Sequence, residues 1–137
     1  MTEDDLLEQY GLHPTGSQLD EVRSLLKTAM QDGLDADTDL MKVCCIQLFH
    51  HGSLDDVLLI WEAKTSGWDS QFSIDVQLLC GAGLDATKTF LGAHPGPLAQ
   101  KALTYLTECE EAGDFEQFSV ESRSAEYHRY YGVPATD

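Results

Sequence analysis

Residues of metal-binding or nucleophilic type gather in one stretch of the chain, Cys44, Cys45, His50 and His51. Thiolate and imidazole are ligands that zinc accepts, and a thiolate beside an imidazole is the pair used in nucleophilic catalysis. The spacing argues against both. Cys44 and His51 are seven residues apart and can share a helical face, but adjacent cysteines project in different directions. Ligand pairs from two elements at knuckle-like spacing are absent. All four cysteines, Cys44, Cys45, Cys80 and Cys109, sit in apolar stretches where burial keeps a thiol protonated. The expectation is therefore no catalytic residue, no metal and no cofactor.

Gly81-Ala82-Gly83 is a glycine-rich break before a helix, but it follows a helix and lacks the lysine of a phosphate loop, so it reads as a corner. The paired acids Asp4-Asp5, Asp55-Asp56 and Glu110-Glu111 could serve as an acid and base or hold a cation. Most of these acids lie at helix starts, where capping accounts for them. Aromatic residues beside carboxylates carry a better binding signal, because ring faces and carboxylates together recognise Lys and Arg. Trp61-Glu62, Trp68-Asp69 and the group Tyr127, Tyr130 and Tyr131 fit that pattern. Trp61 continues an apolar stripe and reads as core, and the tyrosines have the helical spacing of a docking face. The candidate partner-binding residues are Trp68 as principal anchor, Asp69, Glu62, Asp75 within an otherwise apolar segment, Tyr127 and Tyr131.

Capping residues and glycines punctuate apolar residues spaced three and four apart, which predicts about seven or eight short helices and no strand. Thr2 with Asp5 forms a capping box opening a helix to about Tyr10. Ser17 opens a second helix, striped by Leu19, Val22, Leu25, Leu26 and Met30 and closed by a glycine cap at Gly33. A third, about 39 to 51, is apolar around much of its circumference and should lie centrally. Ser53 and Asp56 open a fourth to about Lys64, and 65–72 reads as a loop. Ile74 to Cys80 reads as a buried helix and Leu84 to Leu91 as its partner. His94-Pro95-Gly96-Pro97 breaks the chain before helices at about 98–112 and 119–131.

The segment Ile46 to Asp55 aligns without gaps on Val76 to Asp85, an offset of 30 with Gln, Leu, Leu and Asp identical. Gly33-Leu34-Asp35-Ala36 echoes Gly83-Leu84-Asp85-Ala86. Periods of this length suit stacked helical hairpins, in which each unit covers its neighbour's apolar face. Through the hairpins Leu48 to Trp61 and Leu78 to Leu91 the chain resembles HEAT-like α-helical repeat proteins over roughly Leu40 to Leu103. The resemblance implies an all-α, right-handed array of antiparallel hairpins that binds other macromolecules, here a compact block because so few hairpins are present. One helical domain over 1–137 is expected, with the hairpin repeat at about 40–113 and a C-terminal docking helix at about 119–131.

With 8 Lys+Arg against 24 Asp+Glu, the net charge of −16 repels nucleic acid and anionic lipid and steers basic proteins inward. The N-terminus has neither the basic nor the apolar region of a secretory signal, and no apolar run reaches the eighteen or so residues of a membrane span. A cytoplasmic protein with no membrane or nucleic-acid partner is the expectation. In size, acidity and architecture the chain is similar to small helical immunity proteins. That similarity implies a basic protein partner, such as a nuclease-type toxin domain whose cationic site is occluded. The alternative is a helical-repeat scaffold or adaptor in a cytosolic complex, with an enzyme ranked below both.

Overall fold

Helix α3, Thr38–His51, is the axis of the protein, in a computed structural model that describes residues 1–134, with Leu34 described by its backbone alone. Nine of its residues, Leu40, Met41 and Val43 through Phe49, are buried, as its all-round apolar sequence requires. Asp37 caps its start by accepting the Leu40 N–H, and Gly52 closes it in the left-handed conformation at φ 73°, its N–H bonded to the Leu48 carbonyl.

The described residues form seven further helices: α1 Glu3–Tyr10, α2 Ser17–Met30, α4 Val57–Lys64, α5 Trp68–Ser73, α6 Leu84–Ala93, α7 Pro97–Glu111 and α8 Val120–Tyr131. Among the described residues there is no strand, and the fold is all-α. Helices α1, α2 and α5 pack on α3, α4 on α5 and α7, and α6 on α7, consistent with stacked hairpins around one apolar core. The Thr2 and Asp5 capping box at α1 is present as the sequence implies. None of the described helices is long and apolar enough to cross a membrane.

Four local expectations are corrected. The stretch read as a loop over 65–72 contains α5. Helix α2 ends at Met30, and Gly33 opens a 3-10 turn, Gly33–Asp35, instead of capping the helix. Ile74 and Asp75 are extended, so the predicted buried helix shortens to a 3-10 segment, Val76–Cys80. Asp56 stands at the N-cap position of α4, but its side chain does no capping: it is buried and grips Arg23 of α2 through two bonds of 2.7 and 3.1 Å.

The two corners matched by the sequence repeat meet in space. A Cβ at Gly81 would overlap the Phe49 carbonyl, and one at Gly52 would lie 3.2 Å from the Gly81 carbonyl oxygen. Glycine is needed at Gly81 for close backbone approach, since its own φ of −62° is ordinary.

Candidate functional site

The α5 helix packs on α3 and α4 and is tied down by a buried cation. Six residues cannot hold a helix on propensity, and the C-terminal end of α5 is closed by Lys64 at the end of α4. The Lys64 ammonium donates to the carbonyls of Gln71 (2.6 Å) and Ile74 and lies 5.8 Å from the centre of the Tyr105 ring. Lys64 is 4% exposed, and burial lowers its pKa. At the other end the buried Ser70 hydroxyl accepts the Gly67 N–H at 3.0 Å and donates toward the Lys64 carbonyl at 3.2 Å. With its buried face fixed, α5 turns Trp68 and Phe72 outward, 72% and 71% exposed, their rings edge to face at 5.4 Å. Trp68 and Asp69 also border a small cleft with Gly33, Ala36 and Thr38, beside the acidic segment Asp32 to Asp39.

The other sequence candidates separate into different settings. Glu62 is exposed on α4. Asp75 and Tyr127 are brought together: the buried phenol donates to the Asp75 carboxylate at 2.7 Å, and Lys42 stands 3.7 Å from the same oxygen. Burial first, and the Asp75 charge second, push the Tyr127 pKa far up. Tyr131 is half-buried, its pKa also raised by burial and by nearby Glu3. Asp75 and Tyr127 thus clamp α8 to the segment after α5, and Trp68 with Asp69 forms the open surface. Phe72 was not among the candidates; its i, i+4 spacing from Trp68 is the signal, legible once 68–73 is known to be helical.

The cysteines are buried and unpaired, and burial pushes Cys44 and Cys80 up to about 12, so thiolate character is suppressed. His51 is exposed and does not meet Cys44. His50 points instead to two histidines distant in sequence, His13 and His128. One ring nitrogen of each lies within 4.8 Å of the others. His13 stacks on His50 with ring centres 4.1 Å apart and on His128 at 5.0 Å.

Helix α3 places this group by gripping the turn after α1. The buried Gln47 donates to the Gly11 carbonyl at 2.7 Å, and one turn later His50 Nδ1 lies 2.7 Å from the Leu12 carbonyl. His128 Nδ1 lies 2.8 Å from the Val133 carbonyl, just beyond α8. A carbonyl only accepts, so in neutral His50 and His128 the proton sits on Nδ1 and Nε2 carries a lone pair. His50 Nε2 meets the Ser124 hydroxyl at 2.9 Å, and His128 Nε2 meets His13 Nε2 at 2.9 Å. Burial depresses the His50 pKa to about 4 and lowers that of His13, with the neighbouring rings acting in the same direction. Nothing local in the sequence marks this cluster, because its members stand at positions 13, 50 and 128 on three separate elements.

No protein-family model, curated protein or solved structure matches this chain.

Proposed function

We propose that this protein is a binding module that neutralises a basic protein partner by covering its cationic site, with the Trp68 and Phe72 face as the desolvated centre of the contact. The observation that carries this reading is an exposed aromatic pair on a helix anchored from beneath, in a chain of net charge −16. Binding energy concentrates in such rigid aromatic anchors, and surrounding carboxylates steer approach and exclude the wrong partners.

The acidic field is little relieved from within. Arg23, Lys42, Lys88 and Arg123 face carboxylates of the same chain, and Lys64 is turned inward. What remains outward is dominated by Asp and Glu. A nuclease-type toxin domain, with a groove built for phosphate, is the partner chemistry that this surface complements, and blockade would work by occlusion in the manner of an immunity protein. A cytoplasmic setting goes with this role.

A groove lined by Leu54, Ala86, Phe90, Ala93 and Pro95 supports the second reading, a HEAT-like scaffold that holds a partner helix by its apolar face. The test uses the intact protein as bait in lysate of its own source, with W68A/F72A and F90A as parallel baits. The first reading predicts capture of a basic protein that W68A/F72A loses, F90A keeps and high salt weakens strongly. The purified bait should also inhibit the captured protein's activity. Salt-insensitive capture lost only in F90A would replace it with the second.

A further inference from the structure

The structure assigns a transition-metal site to His13, His50 and His128, of the class that takes zinc or another borderline-soft divalent ion through three imidazoles. It is independent of the aromatic face on α5. Four observations converge on it. The three rings bring one nitrogen each to within 4.8 Å of one another. Two of them, His50 and His128, have Nδ1 held by backbone carbonyls, which fixes the tautomer and leaves Nε2 as donor, the outer-shell arrangement that orients ligating histidines. The group sits largely inside the protein, since His128 is buried and His50 partly so. His13 is exposed and provides the entry path and the open side.

The 2.9 Å separation of His13 Nε2 and His128 Nε2 is a hydrogen bond in the metal-free protein, with His13 as donor. Zinc bonds of about 2.0–2.1 Å in tetrahedral geometry place two nitrogens roughly 3.3 Å apart. The nitrogens, now within 4.8 Å of one another, have to close to that spacing, and the exposed His13 ring has to swing out of its stack on His50 to point its lone pair at the ion. Its proton is relocated from Nε2 to Nδ1, where the N–H donates a hydrogen bond to solvent, and the ring stays neutral. The Ser124 hydroxyl releases His50 Nε2 and turns to water or to the ion's open position. Three protein nitrogens and one open position make an accessible site, in contrast to a closed four-ligand structural one. Imidazole donors select zinc, copper, nickel or cobalt over magnesium and calcium. The ion would tie the turn after α1, the end of α3 and the last helix at one point.

The experiment uses the full chain without a histidine tag, stripped by chelator, with zinc titrated calorimetrically in 5 mM magnesium and cobalt as the spectroscopic probe. The expected result is one equivalent of zinc, a melting temperature raised by roughly 5–10 °C at a hundredfold excess over the dissociation constant, and the intense visible absorption of four-coordinate cobalt. H13A, at an exposed turn position, should melt like the wild type without metal and bind zinc at least tenfold more weakly, ligand loss costing no less than loss of an outer-shell partner. H51A and C44A should bind as the wild type does. Absence of zinc binding, or binding that H13A leaves intact, would overturn the assignment. So would binding abolished by magnesium, which would locate the ion among surface carboxylates.

Discussion

At α5 the chain turns its aromatic rings out and a lysine in, whereas where α3, α8 and the turn after α1 meet it turns three imidazoles toward one another. The first region spends its polar chemistry inside, on the carbonyls that Lys64 caps, and leaves an apolar face outside. The second uses polar side chains as the joint itself, His50 and His128 holding carbonyls of neighbouring segments and Tyr127 reaching Asp75. A face available for contact can lose its rings without disturbing the fold, but the joint cannot lose His50 or His128 without stranding the carbonyls they hold.

The largest expected effect breaks the α5 side of this contrast from beneath. Lys64→Ala strands two carbonyls and removes the closure of α5, and should cost about 3 kcal/mol in urea unfolding. Next, Gly81→Ala forces a methyl group into the Phe49 carbonyl, for a loss of about 1–3 kcal/mol by the same measurement. At the joint, His128→Ala removes a buried ring with two polar contacts and should cost about 2 kcal/mol.

Acid should sharpen the same contrast. His50 has a folded pKa of about 4 against about 6.5 unfolded, so between those values the unfolded chain binds more protons. Its stabilising contribution is complete above pH ~6.5 and is lost as pH falls toward 4. His13 has the same sign, and the groups facing His50 are His13, His128 and Ser124. Melting of the metal-free protein across pH 7 to 4 should drop by several degrees, and His50→Gln, which cannot titrate, should flatten that drop. The smallest effect is expected at Trp68→Ala, within about 0.5 kcal/mol of wild type in stability, while partner affinity falls by an order of magnitude or more. A stability loss at Trp68 as large as that at His128 would erase the distinction between face and joint.

Much of the fold was legible because helix signals are local. Thr2 with Asp5, Gly52 after His51, Pro97 after Gly96 and the apolar circumference of α3 each act within a few residues, and the helices lie close to where those signals put them. Trp68 was legible as an anchor but not its helix, since α5 depends on an ammonium reaching back from Lys64. Asp56 reads as a cap because its partner, Arg23, lies 33 residues away.

By itself, then, the amino-acid order determined an all-helical chain, its central helix, its acidic charge and an aromatic residue beside an acid at positions 68 and 69. Only tertiary structure decided that Phe72 joins Trp68 outside, that Lys64 goes inside, and that His13, His50 and His128 meet. Caps and periodicities are written in neighbours along the chain, whereas a cluster drawn from the first turn, the third helix and the last exists only after burial has brought those elements together.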